Sequence, residues 1–297
     1  MRTKNYTIHF LLLSVLLLLL FFVNLSLGSV AIPLKDIFSA MFGEGSTKES
    51  WNVIIINFRL PKAISAILVG SGLSICGLLM QTLFRNPLAG PFVLGISSGA
   101  SLGVAFLILG TSFLGGVFTL STISSWTLPI AASLGAFLVL SAVIIAANRV
   151  RNIMSILIIG LMFGSLTSAL ISVLAYFSKA EQIQQYVFWS FGSLGNLSWT
   201  EISVFTTIYV FSILSCLSII KPLNSFLLGE NYAKSLGINI KRNRKIILLI
   251  TSVLAGVITA FSGPIAFIGL AVPHVTKLLF SSSNHKILIP AVALLGG

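Results

Sequence analysis

Long apolar runs alternate with short polar stretches along the whole chain. A bilayer core takes about 20 consecutive apolar residues in a helix. Runs of that kind stand at 8–28, 61–83, 92–110, 128–147, 153–177, 202–220 and 246–262. A shorter apolar segment lies at 268–280, and another span opens at 287. Segments of this length satisfy their backbone in lipid only as helices. The pattern therefore predicts an all-α fold, a polytopic transmembrane helical bundle forming one domain over 1–297. The last run ends at Ala-Leu-Leu-Gly-Gly297 when it has barely begun. Carbonyls left in mid-bilayer need partners, so the expectation is a C-terminally truncated bundle lacking its last one or two helices.

Charge gives the bundle an orientation. Starting with the N-terminus in the cytoplasm and alternating, the inner side collects Arg2, Lys4, Arg85, Arg149, Arg151, Lys221, Lys234, Lys241, Arg242, Arg244, Lys245, Lys277 and Lys286. The outer side keeps Lys35, Lys48, Arg59, Lys62 and Lys179. Lys and Arg accumulate on the cytoplasmic side of membrane proteins, so the prediction is a multi-pass protein of the cytoplasmic (inner) membrane with its N-terminus inside. The acids split the other way: Asp36, Glu44, Glu49, Glu181 and Glu201 fall outside and Glu230 inside. Arg2 and Lys4 before the first apolar run resemble a signal peptide, but Asn24–Gly28 has no clear A-x-A site, and the run reads as a retained helix. The outer stretch Pro33–Phe42 reads as a short amphipathic helix at the interface. Trp51, Trp126, Trp189 and Trp199 sit near outer ends, as an aromatic belt does.

Composition agrees with burial in lipid. The chain of 297 residues is 56% hydrophobic and 8% charged, with a mean hydropathy of +1.06, whereas soluble domains carry about 25% charged residues. The net charge of +12 is explained by the inner loops. With no basic stripe interleaved with aromatics, no nucleic-acid partner is expected. Cys76 and Cys216 lie in apolar segments without ligand spacing and read as small buried hydrophobes. Small-residue runs at 99–103 and 133–136 suit close helix packing. Gly70, Gly77 and Pro87 recur as Gly256, Gly263 and Pro273, a weak hint of repeated halves.

Three stretches hold the candidate functional residues. The first runs from Arg59-Leu-Pro-Lys62 through Arg85-Asn-Pro-Leu-Ala-Gly-Pro91 to Gly95-Ile-Ser-Ser-Gly-Ala-Ser-Leu-Gly103. Arg59 and Lys62 sit at the outer mouth of the second helix, where they either anchor carboxylates of an external partner or snorkel as ordinary interfacial charge. Pro87 and Pro91 stop helix continuation and predict a tight polar turn. The second stretch, within inner loop 221–245, reads as two short helices broken at Gly237; it either docks a cytoplasmic protein or is simply a solvated basic loop. The third begins at Gly263-Pro264, with Gly269 and Pro273 as further interruptions. Broken helices at membrane depth are costly unless they line a cavity or bury against protein, so a pathway is expected there. His274 reads as structural or interfacial, and no metal site is expected.

Together the RLPK, RNPLAGP, GISSGASLG and GPIAFIGLAVPH segments resemble the signature regions of the FecCD-type permeases of ABC importers, from about residue 30 to the end. The resemblance implies about ten helices per subunit, each roughly one bilayer thick. It implies a second permease copy (the same or a similar chain), two cytoplasmic ABC ATPase subunits and an external solute-binding protein. Arg59 and Lys62 would meet that binding protein, with Lys62 lacking the bidentate fork of arginine. Asn86 and Leu88 would belong to a cytoplasmic gate. Gly229, Glu230, Ala233, Lys234, Leu236 and Gly237 would form the ATPase-docking loop. The expected cargo is an iron–siderophore chelate, with cobalamin and haem as alternatives.

The chain itself is expected to be no enzyme and to bind no cofactor. It has no G-x-x-x-x-G-K-[ST] loop, so ATP would be used by the partner ATPase. A secondary transporter driven by an ion gradient would show ionisable residues inside its spans, and these spans are nearly free of them. An intramembrane enzyme needs a nucleophile–base pair or a metal constellation, and the sequence shows neither.

Overall fold

A computed structural model describes residues 6–43, 45–110, 126–149 and 153–297. Arg2, Lys4, Glu44 and Arg151 of the charge reading, and the side chain of Arg149, lie outside the described residues. The described residues form helices joined by turns and irregular stretches, without strands: α1 (Thr7–Ser26), α2 (Leu34–Met41), α3 (Glu49–Ile54), α4 (Leu60–Phe84), α5 (Ile96–Ile108), α6 (Thr127–Arg149), α7 (Ile153–Tyr176), α8 (Ala180–Ser190), α9 (Trp199–Ser218), α10 (Ile220–Leu228), α11 (Glu230–Ser235), α12 (Ile240–Ser262), α13 (Ile268–Phe280) and α14 (His285–Gly296). Among the described residues, six helical stretches are long and apolar enough to cross a membrane.

At the centre stands α4. It is apolar on every side rather than on one stripe, the signature of a helix surrounded by others. Its run Gly70-Ser-Gly-Leu-Ser-Ile-Cys-Gly77 is wholly buried. Small side chains let neighbouring backbones approach closely, and α9, α12, α13 and α14 all pack on α4. The two small-residue runs of the sequence find each other: a Cβ added at Gly103 would lie 2.1 Å from the Ala131 carbonyl oxygen, and one at Gly135 would lie 2.1 Å from that of Gly99. By contrast α1 and α7 keep rows of exposed apolar side chains, among them Leu11, Leu19, Leu161, Met162 and Leu166. Such faces need lipid or another apolar surface.

Two elements depart from the sequence pattern. The run 92–110 is not one span: Pro91–Leu94 form a 3₁₀ turn, Gly95 takes φ +71°, and α5 has 13 residues. At 1.5 Å per residue that is about 20 Å, short of the roughly 30 Å hydrocarbon core. The second short helix, α13, also has 13 residues and comes after an irregular stretch at 263–267. The proposed repeat does not align equivalent parts. Gly77 is mid-helix in α4 whereas Gly263 caps α12, and Pro87 lies in a turn whereas Pro273 is inside α13.

α10 and α11 lie at one end of the bundle. Hydrogen bonds join the C-terminus of α4 and the N-terminus of α14 to α10, and the N-terminal part of α12 to α11. The rings of Tyr6 and Phe10 pack on Phe280, bringing the start of α1 to the end of α13. This is the platform end; the other is the far end.

At the far end, α2 lies where the amphipathic pattern predicted it. Its buried Ile37 and Ala40 pack with Leu25 and Ile55. Asp36 accepts the Thr47 amide at 2.7 Å and the Thr47 hydroxyl. The hydroxyl bond, then the amide bond, hold the Asp36 carboxyl below its ordinary value. A depressed carboxyl adds stability above its unfolded value, which is lost as pH falls through the folded value. Protection of the Thr47 amide from hydrogen exchange should therefore persist at pH 6 and be lost only once the pH has fallen below the ordinary Asp value of about 3.9. Unchanged protection in Asp36→Asn at pH 6 would show the charge is irrelevant.

Candidate functional site

The expected docking residues assemble into one platform. Leu223 and Phe226 are buried and seat α10 on the bundle. Gly229, at φ +118° and ψ +150°, then turns the chain into α11. Ala233 is fully buried beneath α11, while Tyr232 and Leu236 are half exposed. The Gly237 amide donates to the Lys234 carbonyl at 2.9 Å and the Ile238 amide to that of Ala233 at 3.1 Å, the paired bonds of a glycine-terminated helix. The Arg244 guanidinium pairs with Glu230 at 2.8 Å and ties α11 to α12. Lys234 is exposed on the same surface.

This corrects the loop reading in one respect. The chain breaks at Gly229 as well as at Gly237, because only glycine adopts the Gly229 conformation readily. Lys241, Arg242, Arg244 and Lys245 ride on the first turns of α12, which Asn239 caps by accepting the Arg242 amide at 3.0 Å.

Beside the platform lies the turn with the expected gate residues. Arg85 ends α4 in the left-handed conformation, φ +49°. The Asn86 amide donates to the Gln81 carbonyl at 3.2 Å. The Asn86 side-chain oxygen accepts the Leu88 amide at 2.9 Å, leaving the Leu88 side chain 69% exposed. Asn-Pro sequences favour such turns.

At the far end the expected cation pair divides. Lys62 is exposed. Arg59 is only 8% exposed, and its guanidinium donates to the carbonyls of Leu25 at 2.6 Å, Ser26 at 2.9 Å and Val30. These are carbonyls at and beyond the end of α1, which lack partners within the helix and attract a cation. Arg59 is therefore the clamp on the end of α1, its guanidinium turned away from solvent. A π-helical turn over Ile55–Arg59 joins α3 to α4, and the Trp199 indole donates to the Ile56 carbonyl at 3.0 Å.

The expected helix break is present at Gly263-Pro264 and runs to Phe267, which takes φ +67° and is 77% exposed. The Ser262 carbonyl accepts the Ser193 amide at 2.9 Å, so the break is covered by the segment after α8. Gly269 and Pro273 do not interrupt the next helix: α13 runs through both. Pro273 has no amide to give the carbonyl four residues earlier, that of Gly269. This freed carbonyl faces α4 at Gly77, where a Cβ would come within 1.5 Å of it. Both residues thus serve helix packing.

Sequence reasoning missed a second set of residues at the platform end. The Gln81 side chain accepts from Lys277 at 3.0 Å and donates to the Leu270 carbonyl at 3.1 Å. His285, Asn224 and Thr82 form a hydrogen-bonded chain. No local signal marks these contacts, which join residues far apart in sequence. Among the described residues no group of three His, Cys, Asp or Glu side chains gathers. A groove of about 470 Å³ between α6, α9 and α12 is lined by apolar side chains such as Leu134, Phe137 and Phe261, with Ser133 and Ser252.

Known proteins resemble the chain over nearly its whole length. The profile of the FecCD transport family matches residues 16–297. The hemin transport system permease protein HmuU of Yersinia pestis is 35% identical, over 94% of this chain and 82% of that protein. The vitamin B12 import system permease protein BtuC of Klebsiella pneumoniae subsp. pneumoniae is 33% identical, over 96% and 80%. A solved inward-facing structure of a protein assigned to the metal-chelate type of ABC transporter superposes with a TM-score of 0.84 at 27% identity, covering 98% of this chain and 87% of that one. The chain belongs to the FecCD transport family, as the permease subunit of an ABC importer.

Proposed function

We propose that this permease carries an iron chelate of the siderophore type inward across the cytoplasmic membrane, its N-terminus and the platform facing the cytoplasm. The observation that supports the orientation is the gathering of Arg85, Lys221, Lys234, Arg244 and Lys286 at the platform end, as cytoplasmic faces gather cations. Two ABC ATPase subunits would dock on α10 and α11 there and alone would bind ATP. A second permease copy would cover exposed apolar faces such as that of α7. A solute-binding protein would deliver the chelate to the far end. Nucleotide-driven closure of the ATPases would push the platform and switch which side of the bundle is open.

The break at 263–267 contains no His, Cys or Tyr, which favours a cargo recognised as an intact chelate over one ligated by the protein. The names of HmuU and BtuC keep haem and cobalamin as the second reading. Cells lacking the gene should lose uptake of radiolabelled ferric siderophore and regain it on full-length complementation. Loss of haem or cobalamin uptake instead would replace the cargo.

The two far-end cations are predicted to behave differently. Lys62→Glu should lower the affinity of the binding protein about tenfold or less at low salt, with the effect shrinking as salt rises. Arg59→Ala should leave that affinity intact but destabilise the fold by roughly 1.5–3 kcal/mol, the scale for hydrogen bonds to a charged group. Binding assays and thermal melts on both variants check this; an affinity loss confined to Arg59→Ala would reverse the assignment.

A further inference from the structure

We infer that Arg85, together with the chain Asn224–His285–Thr82, is the mechanical link that passes platform movement to α4, to the turn at 86–90 and to α14; this rests on the reading of α10 and α11 as the ATPase-docking platform. The Arg85 guanidinium donates twice to one acceptor, the Phe226 carbonyl, through Nε at 3.0 Å and Nη2 at 2.7 Å. That carbonyl lies in the last turn of α10, where it also accepts the Gly229 amide at 3.3 Å and where a cation is favoured. The residue that ends α4 thus caps the docking helix. Asn86 is the next residue, so displacement of α10 pulls on the start of the turn.

A second strap runs parallel to the first. The Asn224 side-chain oxygen accepts from the His285 amide at 2.9 Å and lies 2.8 Å from its Nδ1, which donates to it. The other ring nitrogen, Nε2, is then the acceptor in the neutral ring, and the Thr82 hydroxyl lies 2.8 Å from it and 2.8 Å from the Leu78 carbonyl, so its one hydrogen is shared between the two. His285 is 1% exposed, and the Asn224 amide reaches Asn284 at 3.0 Å. One side chain of α10 is therefore bonded to the first turn of α14 and, through the imidazole, to the last turn of α4. Two polar straps at one junction make α10 and the end of α4 move as a unit. Apolar contacts alone would let them slide, because they have no preferred direction.

The test uses the full-length permease assembled with its ATPases and binding protein in proteoliposomes, with Arg85→Ala, Arg85→Lys and Asn224→Leu. Both strap-breaking variants should keep ATP hydrolysis within about twofold of wild type while cargo moved per ATP falls at least tenfold. Arg85→Lys, which keeps the charge but loses the fork, should fall between. A thiol introduced by Tyr232→Cys reports docking separately, since Cys76 and Cys216 are buried. If Tyr232→Cys crosslinks to the ATPase but cargo per ATP is unchanged in Arg85→Ala and Asn224→Leu, the link is overturned and the platform stands. If hydrolysis and transport fall in proportion, or the variants fail to assemble, the straps are merely structural and the inference is also overturned. If Tyr232→Cys never crosslinks, the platform reading falls, and the link with it.

Discussion

Gly77→Leu is expected to leave no folded permease. A Cβ at this position would sit 1.5 Å from the Gly269 carbonyl oxygen, and no rotamer removes a Cβ. The neighbour is backbone, held in α13 and freed for this contact by Pro273. The clash yields only if α13 moves off α4. Overpacking a core costs about 1–3 kcal/mol when side chains can shift. Here a backbone must shift, so the upper end is the floor, against a total stability of about 5–15 kcal/mol. Even Gly77→Ala should lower the melting temperature of detergent-purified protein by several degrees. Gly256→Ala is the matched control in α12: its Cβ would meet only Ala136 and Ile96 side chains at 3.7 and 3.8 Å. Equal melting temperatures for Gly77→Ala and wild type would show that α4 and α13 do not pack as described.

Gly229→Val should abolish transport while the bundle stays folded. The φ and ψ of Gly229 fall in a region essentially reserved for glycine, where a side chain costs about 1–3 kcal/mol. The strain is local, because the turn lies between two surface helices. The chain relieves it by re-aiming α11, which carries Tyr232, Lys234 and Leu236 out of register with α10. Cargo uptake in proteoliposomes should drop at least tenfold with the melting temperature nearly unchanged. Gly237 is the contrast. Its φ of +77° is left-handed and a Cβ there meets nothing within 4 Å, so Gly237→Asn, a residue that tolerates this region, should retain most transport. Full transport by Gly229→Val would dissociate the platform from coupling.

The long spans were legible because lipid imposes length and hydrophobicity on them: α1, α4, α6, α7, α9 and α12 track the apolar runs. Their neighbours were legible only where packing leaves a local mark, as the glycines of α5 and α6 do. The truncated length of α5 was hidden, since hydropathy does not distinguish a 3₁₀ turn at Pro91 from the helix it precedes. The platform residues stood out through their resemblance to the family, and Gly229 and Gly237 have a local backbone reason as well. The clamp made by Arg59 was not legible, because a cation beside a helix mouth looks the same whether it faces solvent or caps α1. The Arg85, Asn224 and His285 contacts were not legible, since each joins parts of the chain that only the fold brings together.

The central claim is that ATP hydrolysis by a docked partner drives this permease. It is tested most directly by measuring cargo uptake into proteoliposomes holding the full-length permease, its ATPases and the binding protein, with ATP, without ATP, and with an imposed proton or sodium gradient alone. The account predicts uptake only where ATP is present, unaffected by collapse of either gradient. Uptake driven by a gradient in the absence of ATP would contradict it.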